Sequence, residues 1–599
     1  MSQLYSFAKE KKTAACIFKG LASFMFLLAW FTVSAQAQTT VAGKIVDQES
    51  GEGLIGASVY IKGTSSGATT DTDGNFSFQT TVPFPFTLVV SSVGYASQET
   101  IVSDASQAGA VSVTIGQSAF LADEVVVSAS RRAEKITEAP STISIINAKA
   151  IDELPSFNVG ELAARQKGVD YVRSGVLGTG INVRGFNSAF NPKNLQLNDN
   201  RFSTLVATGL PLGALSTVVK EDIERIEIIL GPSSALYGPN AHNGLVNTIS
   251  KDPRTSQGTT IAFGAGNQNV FSARFRHAQV ISKKLAFKVS GDYTEGQEFN
   301  YVDTVYNATG TRAFSELDLN RNFNSLRGEA AVYYSVNDRS DLILSYGASN
   351  SNNLGVTNAG RNQIKDWSIQ YLHLRYVSPR WFAQVYHTWS FTDKTYAINQ
   401  RTQNYHTFID AGFSDAEARQ RSFAEQWFAS PLLPGGGLAL NRGALFRDDS
   451  RRWNAEVQYN NNWGGFNVIV GAQWQRDDAN SKGTYLLDNN GKGIVINQIG
   501  PYFQVEKPFL SSIGLKAVIA SRFDYHDLYG FNFVPKAGLL RIGEKGTWRI
   551  TYGRGIAAPT ILNLEANIFG GLLLGNSQGY TLITGERIGK LQVETIQTF

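Results

Sequence analysis

The chain has 599 residues, more than one hydrophobic core ordinarily supports, so two or more domains are expected. Lys and Arg total 54 against 50 Asp and Glu, a net charge of +4, too even a balance to suggest a nucleic-acid partner. One cysteine and two methionines stand beside 57 glycines, 23 tyrosines, 36 phenylalanines and nine tryptophans, which argues against a disulfide scaffold and suits a turn-rich bacterial β-protein with aromatic girdles.

Residues 1–37 read as a secretory signal peptide. Lys9, Lys11, Lys12 and Lys19 give the positive start, LASFMFLLAWFTV gives the apolar core, and Ala35-Gln36-Ala37 gives the small-x-small cleavage site. The apolar run is too short to cross about 30 Å of hydrocarbon as a helix. Cys16 precedes that run, so it is not placed for lipid attachment, and the mature chain beginning at Gln38 contains no cysteine. No later run is long enough for a transmembrane helix; a mature chain that spans a membrane must do so as a closed barrel.

Residues 38–118 read as a small β-sandwich of short strands, among them VAGKIVD, GASVYIKG, TLVVSSVGY and AVSVTIG. Asp71, Asp73 and Asn75 have the look of a calcium loop, but the twelfth position is Val82 where a carboxylate is needed, so a plain hairpin turn is expected. The segment resembles the carboxypeptidase regulatory-like domain, a transthyretin-like fold. The resemblance implies no peptidase activity.

Residues 119–132 contain FLADEVVVSASRR, a short β-prone run flanked by charge. It fits either a last sandwich strand, a linker or an extended segment that adds to a partner's sheet edge by backbone pairing. Residues 133–254 read as a mixed α/β domain. STISIINAKAID begins with a strand, NVGELAARQKGVD alternates like a short amphipathic helix ending at Gly168, and in Asp199-Asn200-Arg201 the Asn can take the positive φ that a turn there would need. In IERIEIIL, Ile223, Ile226, Ile228 and Ile229 favour a largely buried strand. A small-residue loop follows, opened by Gly231-Pro232 and closed by Gly238-Pro239, and then a second β-prone run, LVNTIS.

As a string, residues 223–251 resemble the closing signature of the plug domain in TonB-dependent outer-membrane receptors. I-E-R-I-E, G-P-S-S-A-L-Y-G and N-G-x-x-N-x-I-x-K occur in order and without gaps. On that resemblance Arg184, Gly185, Arg225, Glu227, Gly231, Pro232, Tyr237 and Gly238 are plug-signature positions. Arg184 and Arg225 are expected to face the barrel wall as buried charges with acidic partners. Glu124, Val125, Val126, Val127 and Ser128 match the TonB-binding box. Ser233, Asn240, His242 and Asn243 are candidates for facing a ligand. Leu230 departs from the pattern, since many relatives carry Arg immediately before Gly-Pro.

Enzyme signatures are absent: no Gly-x-x-x-x-Gly-Lys occurs, and the six histidines show no metal-ligand spacing. No catalytic residues, metal or cofactor are assigned. Residues 255–599 alternate with period two over long distances, as barrel strands do. In LAFKVSGDY, Leu285, Phe287, Val289 and Tyr293 share one face against Lys288, Ser290 and Asp292; WNAEVQY repeats the pattern. The segment predicts roughly 14 to 16 strands at about 10 residues per span, fewer than the plugged transporter's about 22. YGRGIAAPTILNLE resembles a signature that normally lies well inside the barrel, so a barrel incomplete at Phe599 is expected. The fold class is therefore mainly β: sandwich, α/β plug, then transmembrane antiparallel barrel.

What the resemblance implies is energised import across a Gram-negative, Bacteroidetes-type outer membrane. The implied partners are TonB, outer-membrane lipid and a scarce ligand, a ferric siderophore first, with cobalamin, haem or glycan as substitutes. The glycan-importing branch is disfavoured by its longer chain and different box. A non-transporting surface adhesin is the alternative from another class.

Overall fold

The computed structural model describes the chain from Thr39 to Thr598, apart from residues 49, 63, 65, 93–94, 96–97, 117–124, 127, 129–133, 156–159, 186–192, 302, 307–310, 358–359, 424–442, 489–490, 510–512, 544–545, 569–572, 575–579, 582–586 and 589–593. Residues 1–38, with the expected signal peptide, lie outside the described residues, as does Phe599. The chain divides into two compact units, one of residues up to 116 apart from 93–95, and one of those three and everything from 117 on.

The first unit is a sandwich of two sheets. One has the order β4 (Asn75–Thr80), β1 (Thr39–Asp47), β7 (Val111–Ile115); the other has β3 (Gly67–Thr69), β2 (Ser58–Ile61), β5 (Phe86–Ser91), β6 (Gln98–Val102). Val41, Ile45, Val59, Ile61, Leu88, Val90, Val113 and Ile115 are buried between them, as alternating strands with one wet face require. Asp71 Oδ1 accepts the backbone N–H groups of Asp73 and Asn75 at 3.0 and 2.8 Å. The expected plain hairpin is a corner, because β3 and β4 belong to different sheets.

In the second unit, β8 (Val125–Val126) pairs with β9 (Glu134–Lys135), so the VVVSA run is not a sandwich strand. A mixed sheet follows, in the order β10 (Thr142–Asn147), β15 (Ile223–Leu230), β16 (Gly244–Ser250), β13 (Asn194–Asn198), β14 (Arg201–Phe202), with a separate hairpin of β11 (Val169–Arg173) and β12 (Thr179–Val183). Ile146, Ile151, Leu162, Val183, Ile223, Ile226, Ile228 and Val246 form its core. The predicted amphipathic helix is short, Gly160–Ala163. The turn from β13 to β14 has φ 48° at Asp199 and 67° at Asn200, the paired left-handed conformation of a two-residue hairpin that Asn and Asp tolerate.

Fourteen strands from Gly258–Gly266 to Glu594–Thr598 form one antiparallel succession, with the short strand Tyr396–Ala397 attached beside it. Among the described residues its first and last strands each pair with one neighbour. In strand Asp448–Trp463, Arg452, Asn454, Glu456 and Gln458 are buried and Trp453 and Val457 are exposed. An apolar outer face and a polar inner face at this spacing are the signature of strands in lipid. Connections at one end are short, as at 283–284, 338–339 and 464–465; at the other they include the long segments 298–321, 393–447 and 558–593. That asymmetry distinguishes a turn end from a loop end. No described helix is long and apolar enough to cross a membrane.

Candidate functional site

The plug fills the space behind the inner faces of the barrel strands, and its two ends meet opposite ends of the barrel. At the turn end, Lys516 Nζ donates to the Glu138 carbonyl at 2.5 Å, Thr547 Oγ1 to that of Thr137 at 2.7 Å, and Arg549 Nη1 to that of Ser141 at 2.8 Å. Near this segment Ser128 is fully buried. Its N–H donates to Glu227 Oε2 at 2.8 Å, and its Oγ accepts from Asn247 Nδ2 at 3.0 Å. Ser128, the last residue of the expected box, is therefore held on β15 and β16, the two strands that bracket the signature loop. Glu124 and Val127 lie outside the described residues, and of Val125 and Val126 only the backbone pairing is described.

Beyond Leu230 of β15 the signature loop leaves the sheet at Gly231, makes one helical turn over Ser234–Tyr237 and returns through Gly238 and Asn240. Here the two sequence motifs come together. Asn240 N–H donates to the Ile556 carbonyl at 2.9 Å, Asn240 Oδ1 accepts from Ala558 N–H at 3.0 Å, and Ile556 N–H donates to Ser234 Oγ at 3.2 Å. Pro559 and Thr560 continue from that junction into a helix, Ile561–Glu565, capped by the Thr560 hydroxyl. Between the junction and the inner wall lies an open cleft of about 770 Å³, counting its solvent-filled mouth. Thr204, Asn240, Gln475, Gln498 and Tyr529 line it together with Arg452, Asp477 and Arg522. Arg452 grips Asp477 through two hydrogen bonds of 2.7 and 2.9 Å and donates to Thr204 Oγ1 at 3.0 Å. His526 stacks on Tyr529 with ring centres 3.9 Å apart.

Elsewhere the plug is held by ion pairs whose polarity is opposite to expectation. Glu221 meets Arg274, and Asp222 meets both Arg276 and Lys288, each at 2.7 Å and nearly excluded from solvent. Asp199 accepts from Arg375 at 3.4 Å and from Ser250 Oγ at 2.6 Å. Burial raises the Asp199 carboxyl, but Arg375, Lys288 and the two Ser250 hydrogen bonds outweigh it and hold it at about 2. In these pairs the plug brings the carboxylates and the barrel wall the cations; the buried plug residue Arg201 reverses the order, facing the wall carboxylate Glu329 at 4.0 Å.

The signature arginines do not fill that role. Arg184 is exposed with φ 47°, and Arg225 pairs at 2.8 Å with Glu227 of its own strand. The correction follows from strand geometry: residues two apart share a face, so Arg225 reaches Glu227 before any wall residue. Gly185 sits where an added Cβ would come within 2.7 Å of the Asn243 amide. Pro232 and Tyr237 pack towards the wall, Tyr237 among Ile469 and Tyr502. Of the four candidate ligand-facing residues, Asn240 lines the cleft. Ser233, His242 and Asn243 are buried instead. His242 Nδ1 bonds Asn243 Oδ1, and Asn243 Nδ2 donates to Asn182 Oδ1 at 3.1 Å, which turns both side chains into the plug. The wall residues Arg452, Gln475, Asp477, Gln498 and Arg522 were not singled out from sequence. Their signal was parity: Gln473, Gln475 and Asp477 share one face of their strand, as do Arg522, Asp524 and His526.

Sandwich, plug and polar-lined antiparallel strands define a plugged outer-membrane-type β-barrel with an N-terminal accessory domain. Residues 41–127 match the CarboxypepD_reg-like domain, residues 135–245 the TonB-dependent Receptor Plug Domain, and residues 313–598 the TonB dependent receptor-like beta-barrel. The chain belongs to the TonB-dependent receptors of the Bacteroidetes type, an outer-membrane family. It is 28% identical over 183 residues to the vitamin B12 transporter BtuB of Vibrio vulnificus, covering 30% of this chain and 29% of that protein. It is 28% identical over 247 residues to the TonB-dependent receptor SusC of Bacteroides thetaiotaomicron, covering 39% of this chain and 23% of that one. A variant of the ferric enterobactin receptor of Pseudomonas aeruginosa shares the fold with a TM-score of 0.50 at 18% identity, over 72% of this chain and 63% of that one. The matched stretches span less than a third of the curated relatives' own length.

Proposed function

We propose that this protein imports a scarce ligand across the outer membrane by TonB-coupled rearrangement of its plug, after export through a cleaved signal peptide. The ligand enters from the loop end and rests in the cleft against Asn240. TonB adds to the box segment around Val125 and Val126 at the turn end and pulls. One observation carries the reading: β15 holds Ser128 through Glu227, midway along the strand, and runs on from Leu230 into the cleft-lining signature loop. A pull on the box and a ligand in the cleft therefore act on the same strand. A ferric siderophore is the first expectation for the cargo, and cobalamin, haem and glycan are its substitutes; the likeness to a vitamin B12 transporter supports an importer of compact ligands.

The test is uptake of labelled ferric siderophores and cobalamin by cells making the protein, with and without Val126→Pro. Proline removes a backbone donor needed for strand addition. Binding kept with uptake lost is the expected result. Uptake indifferent to the substitution would sink the box assignment, and no binding of any candidate would favour a surface adhesin.

A further inference from the structure

Three cations of the inner wall are held at the turn end by neutral oxygens. Lys516, Lys536 and Arg549 stand on three neighbouring barrel strands, Leu515–His526, Gly530–Gly543 and Gly546–Ala557. All three donate to plug residues 138–142, a strap that follows β9. Lys536 Nζ donates to Ser141 Oγ at 2.7 Å. Arg549 reaches the Ala139 carbonyl at 3.1 Å and Thr142 Oγ1 at 3.3 Å, besides the Ser141 carbonyl. Lys516 adds to the Glu138 carbonyl one carboxylate, Glu506 of its own wall, at 3.3 Å. Lys516 and Lys536 are nearly excluded from solvent.

Other cations of the wall are held differently. Arg274, Arg276, Lys288, Arg375, Arg452 and Arg522 each meet a carboxylate. That is the ordinary arrangement, because a buried charge is costly without an opposite one. Lys536 and Arg549 have no hydrogen-bonded carboxylate among the described residues; carbonyl and hydroxyl dipoles stand in for one. The carboxylates that act on Lys536 through space are Glu506 and Glu134, and Glu134 belongs to β9, on the strap's own side. An oxyanion in place of the strap's oxygens would make charge-assisted hydrogen bonds, roughly twice as strong as neutral ones.

The register makes a strip of these cations. Lys516, Leu540 and Arg549 lie in one row across the three strands, which sets the two cations about 10 Å apart. Lys536 lies four residues nearer the loop end, about 13 Å further along its strand. Gly538 and Gly553 share the inner face by parity and place no side chain between the cations. A Cβ at Gly553 would lie 3.8 Å from Lys536 Cγ and 3.9 Å from Pro232 Cβ. The strip therefore runs up to the signature loop, the loop that lines the cleft.

Resting on the import reading, we propose that Lys516, Lys536 and Arg549 form a concealed oxyanion site on the passage. At rest the strap fills it with its own carbonyl and hydroxyl oxygens. Drawing the box, which precedes the strap in sequence, withdraws those oxygens together with Glu134 and leaves three cations against Glu506. The site then takes the carboxylate, catecholate or phosphate oxygens of an anionic ligand on its way from the cleft, and the returning strap displaces them. The ligand class is an oxyanion-bearing one.

The experiment places a spin label at Thr137→Cys in the purified full chain in detergent and follows release of the strap in urea; Cys16, in the expected signal peptide, is the chain's only cysteine. At a fixed urea concentration, about 10 mM citrate should raise the ratio of released to docked strap about threefold or more over sodium chloride of equal ionic strength, because citrate binds only the uncovered site. Lys536→Gln combined with Arg549→Gln should release the strap more easily and cancel the citrate effect, whereas a merely structural role would leave that effect in place. In cells, a trianionic ferric tricatecholate should be accumulated faster than an uncharged ferric trihydroxamate. The double variant should slow the tricatecholate about tenfold without changing its binding at the cell surface. Equal release in citrate and chloride, a citrate effect that survives in the double variant, or faster uptake of the uncharged probe would overturn the proposal. The citrate comparison needs only the unaltered wall, so it decides the matter even where the double variant fails to insert or cells accumulate neither probe. The import reading fails separately, if uptake by cells is unchanged when TonB is absent.

Discussion

In β4 of the sandwich, Phe76, Phe78 and Thr80 are buried while Asn75, Ser77 and Gln79 face water. In the barrel strand Asp448–Trp463, Arg452, Asn454, Glu456 and Gln458 are buried while Trp453 and Val457 face outward. The two strands share a two-residue period and differ in which class of side chain is hidden. Periodicity follows from the pleat of the backbone, whereas the sign of the pattern follows from the media on either side. Water outside and an apolar interior give one sign; lipid outside and a polar plug inside give the other.

That contrast can be broken by moving chemistry across it. The largest effect is expected for Asp222→Ala, which leaves Arg276 and Lys288 buried without their shared carboxylate. About 3 to 5 kcal/mol of plug anchoring should be lost, seen as a lower urea midpoint for plug release in detergent. Leu88→Ala opens a cavity in the fully buried core of the sandwich and should cost about 2 to 5 kcal/mol there. Hydrogen exchange of β5 should then quicken while the barrel strands stay protected. Val457→Lys, on the lipid face, should cost about 2 to 4 kcal/mol if it lies near mid-bilayer. Refolding into vesicles would measure it, and Lys at the inward neighbour Gln458 should behave quite differently.

Asp199 gives a pH signature. Its carboxyl is held at about 2, below the ordinary value near 3.9, so its stabilisation is fully present above about pH 4. That contribution, roughly 2 to 3 kcal/mol, is lost as pH falls from about 4 through 2. Asp199→Asn should flatten the acid limb of plug unfolding. The smallest effect is expected at the sandwich surface, where Lys62 and Glu99 pair at 2.7 Å but remain more than half exposed. Lys62→Ala should leave the melting midpoint within error.

The alternation of the barrel strands, the buried isoleucines of β15 and the left-handed turn at Asn200 were legible in the sequence, because each depends on local geometry and one face. The meeting of Asn240 with Ile556 and Ala558 was not, because it joins segments more than 300 residues apart and its partners on the barrel side are backbone groups that carry no side-chain signal. His242 and Asn243 look like loop residues with polar tips, and only the position of Asn182 shows that those tips point inward. Arg184 and Arg225 were assigned from a family pattern whose companion arginine is Leu230 here. Most of the buried ion pairs to the wall are instead made by plug carboxylates, Glu221, Asp222 and Asp199, which no signature string describes.

The attachment of Ser128 to Glu227 also has a mechanical meaning. On the import reading, and among the described residues, a tug on the box would reach the plug at Ser128 through one charged hydrogen bond and one amide–hydroxyl bond, before it could load β15, which is zipped to neighbours on both sides. Two such bonds are far weaker than a doubly paired strand. On the import reading they would act as a fuse: freeing Ser128 comes first, and the force then arrives at a strand that runs on into the loop lining the cleft.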